Sequence, residues 1–338
     1  MLGKLLFCLG AAAPLPAQNP RPEALRIWAI DVEGGKSTLY VSPSGESMWI
    51  DTGYAGNANR DANRILAAAA SAGVKRIDYL VITHYHGDHA GGVQQLAAKI
   101  SIGKIFDHGD SFEKSNAKTQ AVFQPYAALR QKYPHSTLRP GDTIPIKGLK
   151  VEVVAGAGDA IATSLAGAGQ PNPFCASYQA LKPDPGENAH SLGMIITFGK
   201  LRIADLGDLY WNQEHELVCP MNKLGMVDLY MTTHHGTATS GSPQIVHALH
   251  PKVAIMNNGA DKGGSIKALA TIRNSSGLQD LWQLHFSNEG GKDYNAPETF
   301  IANLSSESDM GYAIEVSVRA DGAFTVLNGR NGFEKTYR

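Results

Sequence analysis

The stretch Thr83-His84-Tyr85-His86-Gly87-Asp88-His89-Ala90-Gly91-Gly92 places three imidazoles and a carboxylate almost side by side. Packing has no use for titratable groups at that density. Imidazole nitrogen and carboxylate oxygen are the donors that borderline divalent ions such as zinc prefer. A turn at Gly87 directs His84 and His86 one way and Asp88 and His89 another, which suits two adjacent metals. The stretch directly follows the apolar run Ile77 to Ile82. It is therefore expected as a loop at the C-terminal end of a buried strand, where α/β sheets place their ligands.

Outward from this loop the chain alternates strand and helix signals. Leu25 to Val32, Ser37 to Val41 and Met48 to Ile50 are β-prone, with a turn at Pro43-Ser44-Gly45. Arg60 to Ala72 is alanine-rich and helical and stops at Gly73. Downstream, Val93 to Lys99 and Lys118 to Lys132 read as helices and Ile102 to Phe106 as a strand. Val151 to Val154 opens a second strand-rich half. Ala155 to Gly186 is a Gly/Pro-rich excursion, expected as an insertion loop near a site. Strands are expected at Gly193 to Phe198, Leu201 to Ala204, Val227 to Met231 and Val253 to Met256. Pro243 to Leu249 and Ile266 to Asn274 read as helices. Tyr312 to Val318 and Ala323 to Val326 read as a closing hairpin. The alternation predicts an α/β fold: a single domain over residues 18–338, two sheets with helices outside.

Composition sets the outer limits. The 338 residues are 43% hydrophobic and 18% charged, which excludes a disordered chain and a coiled coil. Three cysteines exclude a disulfide miniprotein. A formal net charge of -1 supplies no global positive field for polyanions, so there is no strong nucleic-acid signal. Residues 1–17 read as a signal peptide, with Lys4 ahead of a short apolar run and cleavage after Ala17. That reading places the mature protein in the periplasm or outside the cell. No later segment approaches 18 uninterrupted apolar residues, so no transmembrane segment is expected after signal removal. Removal of the leader takes Cys8 with it. Cys175 and Cys219 then remain, and two thiols in an oxidising compartment predict a disulfide.

The motif His84-Tyr85-His86-Gly87-Asp88-His89 resembles the HxHxDH signature of the metallo-β-lactamase fold superfamily. Asp31-Val32 with Gly34-Gly35, then Ile50-Asp51-Thr52-Gly53, resemble the family's opening strands. Leu206-Gly207-Asp208 resembles its glycine-aspartate motif, and His234-His235-Gly236 its final histidine motif. Together with Asn188-Ala189-His190-Ser191-Leu192, these segments most resemble the hydrolase domain of DNA-uptake competence proteins. The resemblance implies an αββα sandwich of two mixed sheets flanked by helices, with a metal site at one sheet edge.

It also implies residue roles. His84 and His86 would ligate a first metal, and Asp88, His89 and His235 a second, with Asp208 bridging. His234 would lie behind the ligands or face substrate, although the two histidines are interchangeable on sequence alone. Asp51 would orient a ligating imidazole, or cap the Asp-Thr-Gly turn. No GHT-type segment supplies a third histidine to the first metal. Asn188 stands near that position as a weak oxygen ligand, and His190 ligates if the loop is shifted. His285 is a further candidate, as a substrate contact or proton donor. His108, His135, His215, His247 and His250 lack partner spacing.

The expected cofactor is two divalent ions, zinc above all. The expected activity is a binuclear metallohydrolase acting on a small-molecule substrate. A bound divalent ion lowers the pKa of water to about 7, and the resulting hydroxide would cleave an ester, lactone or amide-like bond. A nuclease or phosphodiesterase of the same fold is the alternative within that class. Outside it stand a non-catalytic metal- or ligand-binding protein and a redox member, the latter wanting iron and a flavin partner domain. No GxSxG elbow supports a serine hydrolase, and Lys262-Gly263-Gly264 lacks phosphate-loop spacing.

Overall fold

The computed structural model describes residues 24–305 and 310–338. The leader and Cys8 lie outside the described residues. Residues that alternate in the sequence alternate between two faces here. Leu25, Ile27 and Ala29 of β1 (Leu25–Ala29) enter the core between the sheets, while Trp28 packs on the outer face. The first sheet continues through β2 (Thr38–Val41), β3 (Ser47–Ile50), β4 (Arg76–Val81), β5 (Ser101–Asp107) and β6 (His135–Thr137).

The second sheet is built from β7 (Thr143–Ile144), β8 (Lys150–Gly156), β9 (Gly193–Phe198), β10 (Leu201–Asp205), β11 (Leu229–Met231), β12 (Val253–Met256), β13 (Asp280–His285) and β14 (Ile301–Asn303). The two-residue strand Asp159–Ala160 pairs on β8. The chain then returns to the first sheet as β15 (Ile314–Val318), β16 (Phe324–Asn328) and β17 (Glu334–Tyr337), with β15 antiparallel to β1. The spatial orders are β17-β16-β15-β1-β2-β3-β4-β5-β6 and β14-β13-β12-β11-β10-β9-β8-β7. Both sheets mix parallel and antiparallel pairs.

Helices cover the two outer faces. On the first lies α1 (Arg60–Ala72), whose Ile65, Ala68, Ala69 and Ala72 form one apolar stripe at helical spacing. Gly73 ends it at φ 74°, a left-handed cap that glycine adopts without strain. After it come α2 (Gly87–Ala90), α3 (Val93–Ala97) and α4 (Ala117–Arg130). On the second face lie α5 (Trp211–Val218), α6 (Pro243–Leu249) and α7 (Ile266–Arg273). The layers are therefore helix, sheet, sheet, helix.

The strands β13 and β17 and the helix α5 carried no expectation from sequence. β13 lies parallel between β12 and β14, which puts His285 at a strand end. The Gly/Pro-rich excursion holds one side of a disulfide. Cys175 and Cys219 are bonded with Cα atoms 5.8 Å apart, which ties this loop to the end of α5. Among the described residues no helix is long and apolar enough to cross a membrane.

Candidate metal centre

The C-terminal ends of β3, β4, β10, β11 and β12 converge on one edge of the sandwich. Asp51 follows β3, His84 to His89 follow β4, Asp208 follows β10, His234 and His235 follow β11, and Asn257 follows β12. Ligand atoms of Asp88, His89, Asp208 and His235 all lie within 4.8 Å of one another, and all four residues are buried.

The hydrogen bonds around these rings show which nitrogens keep a lone pair. His89 Nδ1 lies 2.8 Å from Asp51 Oδ2, so the proton sits on Nδ1 and the lone pair on Nε2. His235 Nδ1 lies 3.2 Å from the Asn257 backbone carbonyl and 3.0 Å from the Asn257 side-chain amide nitrogen, and these contacts hold the ring with Nε2 turned inward. The two Nε2 atoms then face each other at 3.2 Å, with Asp88 Oδ2 and Asp208 Oδ2 between 3.1 and 3.3 Å away. Two imidazole nitrogens and two carboxylates turned inward at these distances are a donor set that could hold a cation. Asp208 Oδ1 is buried with no hydrogen-bond partner, as a second ligating oxygen would be.

A second inward-facing pair lies beside the first. His86 Nε2 is 3.3 Å from Glu113 Oε1, so its Nδ1 keeps the lone pair. That Nδ1 lies 3.1 Å from His84 Nε2. His84 Nδ1 in turn points at the Thr83 hydroxyl, 3.2 Å away, which itself donates to Asp51. His84 Nε2 is 4.0 Å from Asp208 Oδ2, so Asp208 stands between the two groups. The donor set of Asp88, His89, Asp208 and His235 fits a divalent cation.

The electrostatics agree. Burial alone would push the carboxyls of Asp88 and Asp208 upward, but the His89 and His235 rings hold both well below the usual carboxylate range. Burial pushes His89 the other way, yet Asp208, Asp88 and Asp51 hold it well above an ordinary histidine.

Asp51 sits at φ 60°, accepts from the Thr83 backbone N–H at 2.8 Å, and holds His89. It is the orienting carboxylate for that ring. His234 reaches Asp208 Oδ2 only at 3.5 Å, bonds Ser240 Oγ at 3.0 Å through Nδ1, and stacks on Tyr210. It flanks the centre while His235 lines it. Asn188 is buried, with its Oδ1 unpartnered and its Nδ2 3.4 Å from the Tyr210 hydroxyl.

Two expectations fail here. His190 is not brought to the centre. Its Nδ1 bonds the Gly186 carbonyl at 2.5 Å, and its ring stacks on Phe112 with centroids 3.6 Å apart. His285 does not reach the centre either. It lies on β13, two strands beyond β11, and bonds Asp31 Oδ1 at 2.7 Å in a separate group with Glu33 and Arg64.

Several supporting residues carried no sequence signal. Glu187 accepts from the Tyr85 N–H at 3.2 Å, the Ser111 hydroxyl and Phe112 N–H at 2.7 Å each, and His108 at 3.0 Å. It pins the ligand loop from the far side of the excursion. Lys36 and Asp205 form a buried ion pair that joins the two sheets beneath the centre. Glu113 and Lys262 likewise belong to no motif. Only their partners across the fold give them a role.

A comparison with protein families matches residues 30–161 to the one described as "Metallo-beta-lactamase superfamily". The fold is the metallo-β-lactamase fold. The match spans the opening strands and the His84–His89 loop. A "UPF0173 metal-dependent hydrolase" of Staphylococcus saprophyticus is 33% identical over 63 residues, which is 19% of this chain and 24% of that protein. Its counterpart in Staphylococcus carnosus is 35% identical over 65 residues, 19% of this chain and 25% of that one. The matched region thus spans about a quarter of the length of these relatives. Among solved structures, the metallo-beta-lactamase fold protein YhfI from Bacillus subtilis is 12% identical with a TM-score of 0.47, covering 77% of this chain and 96% of its own.

Proposed function

We propose that this protein is a metal-dependent hydrolase whose centre takes two divalent ions, zinc above all. The observation that carries the reading is the pair of inward-facing nitrogen contacts, His89 to His235 at 3.2 Å and His84 to His86 at 3.1 Å. In this reading His84 and His86 hold one ion, with the unpartnered Asn188 oxygen as a weak third donor. Asp88, His89 and His235 hold the other, and Asp208 serves both. A divalent ion in such a site acts as a Lewis acid and brings bound water to a pKa of about 7. The chain's own residues position and balance charge. Asp51 and Glu113 fix the rings of His89 and His86, and Asp88 sets the negative charge beside the attacked bond. His234 faces the same space and contacts substrate.

The substrate is a small molecule with an ester, lactone or amide-like bond. A phosphodiester is the second reading, favoured by the cationic Lys262 side chain at Asp88. Export to the periplasm or beyond is part of the proposal, and the Cys175–Cys219 bond supports it, since such bonds persist in oxidising compartments.

The test is Asp88→Asn, measured for thermal melting and for turnover on chromogenic esters, lactones and phosphodiesters. The amide is nearly isosteric but neutral, so it cannot balance a cation. Turnover should fall by at least about a hundredfold with melting shifted by only a few degrees, because the residue sits at a loop-helix junction outside the apolar strands. Near wild-type turnover would refute the mechanism.

A further inference from the structure

Lys262 lies on the loop between β12 and α7, and this loop is built against the centre. Gly264 N–H bonds the His235 carbonyl at 2.9 Å. Gly263 has φ 74°, and a Cβ there would come within 2.1 Å of the same carbonyl oxygen. On the other side Gly34 closes on the loop, where a Cβ would lie 2.9 Å from Lys262 Cβ. The backbone thus delivers one lysine to one place. Its ammonium bonds Asp88 Oδ2 and the Tyr54 hydroxyl, the latter at 3.1 Å, and lies 5.4 Å from the Tyr54 ring centroid. The side chain is 37% exposed, whereas that of Asp88 is 12% exposed, so Lys262 stands at the mouth rather than in the floor.

The oxygen it holds is the one that also faces His89 and His235. That oxygen is a ligand atom of the proposed centre. A cation held in the centre would compete for the charge of Asp88 Oδ2 and weaken its hold on the ammonium, which the Tyr54 hydroxyl would still contact. An ammonium carries three donors. One held beside a cationic centre, and partly withdrawn from water, calls for an anion. We propose that Lys262 and Tyr54 form an oxyanion subsite that binds a carboxylate or phosphoryl group of the substrate next to the bond attacked. The inference rests on the metal centre proposed above.

The experiment uses the metal-replete full chain with inorganic phosphate and, in a parallel arm, acetate. Binding is followed by calorimetry and metal content by elemental analysis. The anion bound more tightly by the wild type identifies the group. Lys262→Met should weaken it at least tenfold with metal content unchanged, Tyr54→Phe should weaken it less, and Lys262→Arg should stay within about threefold of wild type. Unchanged anion affinity in Lys262→Met with metals in place overturns the subsite and leaves the centre standing. So does failure of both anions to bind the metal-loaded wild type. Loss of metal in Lys262→Met shows that the lysine only supports Asp88, and overturns the subsite as well. A wild-type protein that takes up no metal overturns both readings.

Discussion

Asp51 illustrates how much of the centre depends on groups that touch no metal. Its two oxygens divide between the Thr83 backbone, the Thr83 hydroxyl and His89 Nδ1. The carboxylate fixes the His89 ring and leaves Nε2 facing inward, where the proposed centre would use it as a ligand. Asp51→Asn puts an N–H group against one of three positions that need an acceptor. Competition with a chelator should show metal affinity reduced about 10- to 100-fold, as is usual for such supports. Unchanged affinity would mean that packing alone holds the ring.

At this scale the sequence was legible where chemistry is dense and local. His84, His86, Asp88 and His89 sit within one short loop, and the order of Asp208 and His235 follows a family pattern. His285 and His190 misled, because position along the chain does not show a histidine's partner, here Asp31 and the Gly186 carbonyl. Glu113, Glu187 and Lys262 could not be read at all. Each acts on a partner that only the folded chain brings near.

Among elements, the Gly/Pro-rich excursion carries little regular structure and is secured at the Cys175–Cys219 bond, 44 residues apart in sequence. Past that bond, Glu187 accepts from the Tyr85 N–H of the His84–His89 loop at 3.2 Å, and its own N–H bonds Glu113 at 3.2 Å. A cross-link closing a loop of this length is worth about 2–4 kcal/mol, mainly by constraining the unfolded chain. Paired Cys175→Ser and Cys219→Ser replacement should lower the midpoint of urea denaturation accordingly while metal content stays at wild type. A large loss of metal instead would show that the bond shapes the centre directly.

Strands and helices with clear periodicity were legible to within a few residues, as at Arg60–Ala72 and Pro243–Leu249. β13 was not. Its Leu281, Trp282, Gln283, Leu284 and His285 are all buried, so the two-residue alternation that marks a half-exposed strand is missing.

For the molecule as a whole, two buried acids shape the pH dependence in opposite senses. Burial pushes Glu187 up, but His108, Ser111 and the Phe112 N–H outweigh it and hold the carboxyl at about 2. Its contribution is present above the unfolded value near 4.5 and is lost as pH falls toward 2. It is on the order of 3 kcal/mol. Burial raises Glu214 to about 7, although it accepts from Gly241 and Ser242 N–H groups. Its contribution is complete below about 4.5 and is lost as pH rises through 7, again on the order of 3 kcal/mol. Denaturation of the metal-free protein should therefore show Glu187→Gln flattening the acid limb and Glu214→Gln flattening the descent toward neutrality. Parallel curves for wild type and both variants would contradict these assignments. Two sheets with helices outside were legible from the alternation of apolar strands and helices, and the αββα order from the resemblance carried by the His84–His89 motif. The return of β15 to pair with β1 was not, because nothing local specifies a partner nearly 290 residues away.

Everything proposed for function depends on two cations meeting at Asp208. The most direct measurement is elemental analysis of the purified, metal-replete protein alongside Asp208→Ala. The account predicts close to two divalent ions per wild-type chain, and loss of both together in the variant. Fewer than half an ion per wild-type chain, or a variant that keeps its full complement, would contradict it.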